Sequence, residues 1–225
     1  MRLYVIRHGQ TTMNVGQGGG ANCLLTAIGK WQAEQIVQFF KNIHVDAIYT
    51  SPLDRSIMTS IPLASDKQLP LTLVPEMSEM FLTEWSYYRD YPWDSCRRLL
   101  ERIPNSKWIA SHDQAKPWWP AWPEDKGLVR KRVQVFYDKH IAPLWGTDAN
   151  IVVFGHGQST ADLKQLANPG DTIPVYNGGV VEFLLNASGS CESAKVHTEN
   201  LWPYIFDCLI QFLSFFHILI FLRAT

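Results

Sequence analysis

The chain is expected to be an α/β protein, with a three-layer α/β/α arrangement around a mainly parallel sheet. Three observations lead there. Short apolar runs alternate with longer stretches of helical periodicity, and those stretches lie between the strand-like runs where tight turns would otherwise be. The chain of 225 residues, 46% of them hydrophobic, is long enough for one substantial core. Strands joined through helices run the same way and bury both faces of their sheet.

In chain order, residues 2–6 carry Leu3-Tyr4-Val5-Ile6 and read as a buried strand. Residues 27–41 read as a helix, because Ile28, Trp31, Ile36 and Phe39 fall near a 3.6 period and Thr26 is a suitable N-cap. Residues 45–50 are a second strand, 53–64 a helix broken near Pro62, and 71–74 a short strand. A long amphipathic helix is expected over 126–145, a buried strand over 150–154, a helix over 158–167 and an extended segment over 179–185. Ligands of such sheets bind beyond the carboxyl ends of the strands. His8, Arg55 and His156 each fall just after an expected strand, so three distant segments can meet at one pocket.

Composition narrows the function. A formal net charge of −1 argues against nucleic acid as the main partner, since phosphate backbones select for basic patches. Cys23, Cys96, Cys191 and Cys208 show no CxxC spacing and no neighbouring histidine pair. They read as reduced thiols in a cytoplasmic setting, with no metal site and no cofactor expected. The first residues form a strand, so no signal peptide is expected.

Two segments differ from the rest. Residues 80–125 hold six of the nine tryptophans, Trp85, Trp93, Trp108, Trp118, Trp119 and Trp122, among five prolines. They read as an irregular insertion stapled by aromatic rings, with a lid over the pocket as the rival reading. Residues 201–225 form a hydrophobic tail in which the uncharged run after Asp207 is only about fifteen residues, short of the eighteen or more of a spanning helix. Packing on the core is favoured for it over a membrane anchor or an artefactual extension. The expected division is thus one domain over 1–200 followed by this tail.

The chemistry is concentrated in Arg7-His8-Gly9-Gln10-Thr11-Thr12-Met13-Asn14, directly after the first strand. A neutral imidazole can attack phosphorus through one ring nitrogen while the other keeps its proton. An adjacent guanidinium would steady the charge of a transferring phosphoryl group. This run resembles the R-H-G-[EQ]-[ST]-x-x-N signature of the histidine phosphatase, or phosphoglycerate mutase-like, superfamily. Further blocks follow in that family's order: Leu25-Thr26-x-x-Gly29-x-x-Gln32-Ala33, Ser51-Pro52-Leu53-x-Arg55-Ser56-x-x-Thr59, Gly155-His156-Gly157 and Asn177-Gly178-Gly179-Val180.

The resemblance implies roles residue by residue. His8 would be the nucleophile and form a phosphohistidine. Arg7, Arg55 and His156 would bind the phosphoryl oxygens, with Asn14 as a neutral donor and Gly157 as a close backbone contact. The family's proton donor is a glutamate after the third block. Glu79 and Trp85 keep its six-residue spacing, and Glu79-x-x-x-x-Glu84-Trp85 is similar to the E-x-x-x-x-E-W pattern of a branch with steroid-phosphate and suppressor-of-T-cell-signalling phosphatases. Leu82 stands where the family usually has glycine, so Glu84 and Glu76 stay open as rivals to Glu79. The family also places its substrate-selecting segment where the Trp/Pro-rich insertion lies.

The expected function is a metal-independent phosphomonoesterase acting on a small phosphorylated metabolite. A cofactor-dependent phosphoglycerate mutase and an inactive phosphate-binding adaptor are the alternatives. Met13 stands where glycolytic mutases carry tryptophan, and their W-x-D segment is missing between the first two blocks.

Overall fold

The structure, a computed structural model, describes residues 1–18, 23–81 and 123–197. The expected insertion (except its two ends), Glu84, Trp85, Cys96, Cys208 and the tail lie outside the described residues. Six strands form one sheet: β1 Arg2–Arg7, β2 Ala47–Thr50, β3 Leu71–Leu73, β4 Asn150–Gly155, β5 Val180–Leu185 and β6 Cys191–His197, in the spatial order β3-β2-β4-β1-β5-β6. β3, β2, β4 and β1 are mutually parallel, whereas β5 and β6 are antiparallel to their neighbours. The sheet is therefore mixed, with the parallel part at the end that carries the histidines.

Helices α1 (Ala27–Phe40), α2 (Asp54–Lys67), α3 (Lys126–Phe136) and α4 (Gly157–Ala167) flank the sheet. The strand period of two sorts the core between its faces. Tyr4, Ile6, Val152 and Phe154 pack with Ile36 and Phe40 of α1 and with Ile57 and Ile61 of α2. Their strand neighbours Leu3, Val5, Ile151 and Val153 turn the other way, onto Val129, Val133 and Phe136 of α3 and Leu163 of α4. One helical layer on each face is the three-layer arrangement expected.

Four details differ from the sequence reading. α2 runs through Pro62 to Lys67, because Ile57, Leu63 and Ala64, all fully buried around the proline, hold the helix against the core. Packing there outweighs a proline penalty of about 3 kcal/mol. The helix expected over 126–145 is α-helical only to Phe136. A π turn, Tyr137–Ile141, and a 3-10 turn, Ala142–Leu144, complete it; Pro143, which has no N–H to extend the α-helical ladder, sits inside that last turn. β6 was not expected, since Glu192, Ser193, Ala194 and Lys195 are exposed and carry no apolar alternation. Such a charged edge is what discourages pairing with other chains. The 45–50 strand begins two residues later, at Ala47.

Two glycines bring α1 against the loop after β1. A Cβ on Gly29 would lie 2.0 Å from the Gln10 carbonyl oxygen, and one on Gly9 would lie 2.6 Å from the Gly29 oxygen. Only bare backbone fits at this crossing. Thr26 caps α1 by accepting from Gly29 N at 3.1 Å and donates to Gln10 Oε1 at 2.8 Å, so the cap also fixes the loop.

Candidate active site

The site assembles at the carboxyl ends of three adjacent strands. His8 N donates to the Gly155 carbonyl at 3.0 Å and Ser51 N to the Phe154 carbonyl at 3.1 Å, extending the parallel ladders one residue past β1 and β2. His8, Ser51 and His156 therefore emerge side by side, and the two imidazole rings lie 5.1 Å apart between centroids.

His8 is 3% exposed, and its Nδ1 lies 2.8 Å from the Gly9 carbonyl oxygen. A carbonyl only accepts, so this contact puts the proton on Nδ1 and leaves the Nε2 lone pair outward. Arg55 Nε donates to that Nε2 at 3.3 Å. Asn177 Nδ2 also lies 3.5 Å from Nδ1, but its shorter bond, 3.0 Å to the His8 carbonyl, is the one that holds it. With Nδ1 protonated, the longer contact is proximity and no hydrogen bond.

Burial is the main influence that keeps the His8 imidazole well below the ordinary histidine range; Arg55 and then Arg7 push the same way, against the Gly9 carbonyl. His156 is lowered likewise, first by burial, then by Arg55, His8, Arg132 and Arg7. Two buried neutral imidazoles among arginines make a site that offers its positive charge to an anion. Because unfolding restores ordinary basicity, the unfolded chain binds protons that the native chain refuses. Stability is thus complete above about pH 6.5 and is expected to fall below it, by up to about 1.4 kcal/mol per pH unit for each imidazole. Urea midpoints taken from about pH 7.5 down to about 5.5 measure this, and His8→Asn should reduce the slope, to which His140, also lowered by burial, adds its own part. A slope unchanged in that variant would contradict it.

His156 is fully buried, with Nε2 2.7 Å from Ser51 Oγ. Thr59 Oγ1 accepts from Gly9 N at 2.9 Å and donates to the Arg55 carbonyl, tying the first turn to α2. Gln32, also fully buried, accepts from Gln10 N and donates to the Asn177 carbonyl, both at 2.8 Å. Gly178, at φ +71°, reaches the loop with its own N–H, donating to the Arg7 and His8 carbonyls. A Cβ there would lie 2.7 Å from Gln32.

Glu79 lies against the amino end of α4. Its carboxylate accepts from Met80 N at 2.9 Å, from Gly157 N at 3.2 Å and from Gln158 N at 3.3 Å, the last two at the amino end of α4. A Cβ on Gly157 would lie 3.6 Å from Glu79 Oε2 and 3.9 Å from Arg7 Cζ, so the carboxylate and the guanidinium both flank this glycine. Arg7 Nη1 also donates to the Val175 carbonyl at 3.4 Å. A cavity of about 270 Å³ opens beside Arg7 and Gly157, between α4 and residues 171–175, with the buried Lys164–Asp171 ion pair (3.2 Å) in its wall.

Of the residues singled out in the sequence, His8 is thus in contact with Arg55 and His156, and Gly157 with Glu79 and Arg7. Asn14 is exposed, and its Oδ1 closes its own turn by accepting from Thr11 N and Oγ1 at 2.9 and 2.8 Å. That leaves its amide nitrogen as the donating end. Glu76 lends its carbonyl to Arg132. Ser51, Thr59, Gln32 and Asn177 stand within the recognised blocks but had no role read into them, and Arg132 and Glu124 lie in no block at all. Among the described residues no group of three or more His, Cys, Asp or Glu side chains is arranged to hold a metal ion, and no helix is long and apolar enough to cross a membrane.

Residues 3–167 match the family described as the histidine phosphatase superfamily (branch 1). An adenosylcobalamin/alpha-ribazole phosphatase of Escherichia coli (strain K12) is 37% identical over 94 residues, which is 40% of this chain and 46% of that protein. The chain spans about half the length of the curated phosphatase relatives it matches first. A 2,3-bisphosphoglycerate-dependent phosphoglycerate mutase of Chlamydia muridarum is 26% identical over 183 residues, covering 72% of this chain and 81% of the mutase. The crystal structure of the alpha-ribazole phosphatase from Shigella flexneri shares the fold, with a TM-score of 0.63 at 22% identity over 89% of this chain and 97% of that one.

Proposed function

The chain belongs to the histidine phosphatase superfamily (branch 1), and from the arrangement around His8 we propose that it is a metal-independent phosphomonoesterase working through a phosphohistidine. The observation that carries this reading is the buried His8 imidazole, its Nδ1 proton held by the Gly9 carbonyl and its Nε2 lone pair turned to Arg55.

In the first step Nε2 bonds to phosphorus as the phosphorus–oxygen bond to the leaving group breaks. Glu79 gives the departing oxygen its proton. Arg7 and Arg55 carry the charge of the transferring group, and His156 contacts a third oxygen. In the second step water attacks the phosphohistidine, Glu79 takes a proton from it, and inorganic phosphate leaves with His8 restored. Gly157 N, engaged by Glu79 in the free protein, would then meet a phosphoryl oxygen once the carboxylate swings to the leaving group. The cavity beside Arg7 has room for a small organic group, which supports a small phosphorylated metabolite as substrate.

The test is phosphate release from p-nitrophenyl phosphate in EDTA, together with alkaline quenching after brief exposure to substrate labelled in its phosphoryl group. Steady release and a base-stable, acid-labile label on the protein are expected. Loss of the rate on chelation, or a folded chain that turns over without labelling, would count against it. The longer match to the chlamydial mutase favours a second reading, a cofactor-dependent phosphoglycerate mutase. It is distinguished by movement of the label between phosphoglycerates without net release of phosphate.

A further inference from the structure

We propose that Arg132 and Glu124 form a clamp whose task is to position Glu79 for proton transfer, an inference that rests on the phosphohistidine reading above. Arg132, on α3, is 13% exposed in its side chain, and all five of its guanidinium N–H groups have partners. Nε and Nη2 donate to the two Glu124 oxygens at 2.8 and 3.0 Å, a forked pair. The other donors go to three carbonyls of one short segment: Glu76 at 2.5 Å, Ser78 at 2.8 Å and Glu79 at 3.0 Å.

Glu124, 2% exposed in its side chain, closes the ring. Its Oε2 accepts from Phe81 N at 3.1 Å, and its own N–H donates to the Phe81 carbonyl at 2.8 Å. The backbone from Glu76 to Phe81 is therefore gripped from both directions, with Glu79 in the gripped stretch. That stretch is short and irregular: a 3-10 turn ends at Met77 and the residues after it belong to no strand or helix. No ladder of its own fixes it, so the guanidinium supplies the partners that a strand would otherwise provide. Ser159 Oγ adds one more tie by donating to the Met77 carbonyl at 2.9 Å. Neither Arg132 nor Glu124 lies among the ligands proposed for the phosphoryl group, so both act through Glu79 as positioning residues.

A burial cost explains why the pair is needed and why it is sensitive. Removing one partner leaves the other charged and unpaired in a mostly dry site. Replacing both changes the hold on the backbone without leaving that charge. The clamp therefore predicts a leaving-group-dependent defect in kcat/KM, which reports the first step, together with a slower second step that is common to every ester.

The test compares p-nitrophenyl phosphate, whose leaving oxygen is stabilised by its nitro group, with phenyl phosphate, whose leaving oxygen resembles a tyrosine phenol and titrates near about 10. For Arg132→Gln combined with Glu124→Gln, kcat/KM on phenyl phosphate should fall by about 10- to 100-fold, part of the worth of a general acid, while that on p-nitrophenyl phosphate changes by less than about threefold. Phosphohistidine formed from p-nitrophenyl phosphate should persist in the alkaline quench. Equal losses on both esters, or no loss on either, would overturn the clamp while wild-type labelling leaves the phosphatase reading standing. A wild type that never labels overturns both. If the double variant does not fold, Arg132→Lys carries the same comparison, because it keeps a positive charge against Glu124 while losing the fork that reaches the Glu76, Ser78 and Glu79 carbonyls.

Discussion

Replacing His8 by alanine is expected to lower kcat/KM on p-nitrophenyl phosphate by about four orders of magnitude or more, the scale seen when a covalent nucleophile is removed. Among the described residues no second group is placed to substitute for it. The His156 Nε2 is engaged by Ser51 Oγ, and Glu79 is held at the amino end of α4. Arg55 would keep its positive charge but lose the lone pair its Nε meets at 3.3 Å. The fold should survive, because β1 and β4 stay paired through Gly155 and the backbone N–H of residue 8 is retained. The lost side-chain bond to the Gly9 carbonyl costs about 1 kcal/mol. Steady-state rates and a thermal melt on the same preparation check both halves. Retention of more than a small fraction of the rate in a folded variant would remove His8 from the mechanism.

For Arg55→Met we expect a loss of about 10³-fold in kcat/KM, because a buried guanidinium aimed at developing phosphoryl charge is worth far more than an exposed one. The change also has a pH signature. Arg55 is the second influence, after burial, that lowers His8. Its removal makes the imidazolium cheaper to form, so the His8 pKa rises toward its ordinary value, near about 6.5. The residual activity of the variant should therefore fade at higher pH than that of the wild type when the acid limb of kcat/KM is followed from about pH 8 to about 4.5. A limb that stays in place while the rate falls would mean that Arg55 binds phosphate without governing the protonation of His8. A limb that moves down would contradict the electrostatic account outright.

Much of the site was legible because its residues sit where strands end. The run Leu3-Tyr4-Val5-Ile6 before Arg7-His8, and Ile151-Val152-Val153-Phe154 before Gly155-His156, each announce a buried strand followed at once by polar chemistry. The resemblance, through the spacing to Trp85, placed Glu79 above Glu76 and Glu84 as the acid; Glu79 lies beside Arg7 and Gly157, while Glu84 is outside the described residues. The residues that were missed share one property: their partners are remote in sequence. Gln32 works by bonding Asn177, 145 residues away, Ser51 by meeting His156 across 105, and Arg132 by holding Ser78 and Glu79 across 54 and 53.

Helix boundaries show the same division. Thr26 signals the start of α1, because a capping side chain bonds N–H groups only two or three residues on, and the structure shows Asp125 capping α3 in the same way. The passage of α2 through Pro62 and the π turn after Phe136 depend on what those segments press against, which no local pattern records. Likewise the antiparallel entry of β5 depends on where residues 168–179 lead the chain, not on the apolar content of Val180–Leu185.

Residue order and local periodicity were enough for the α/β class and for the strand ends that carry His8 and His156, and the motif blocks, Arg55 among them, were enough for the family. The mixed direction of the sheet, the tautomer and depressed basicity of His8, and the hold of Arg132 and Glu124 on Glu79 emerge only from the folded chain. Those depend on burial and on hydrogen bonds between distant segments, quantities that exist only once the chain has closed on itself.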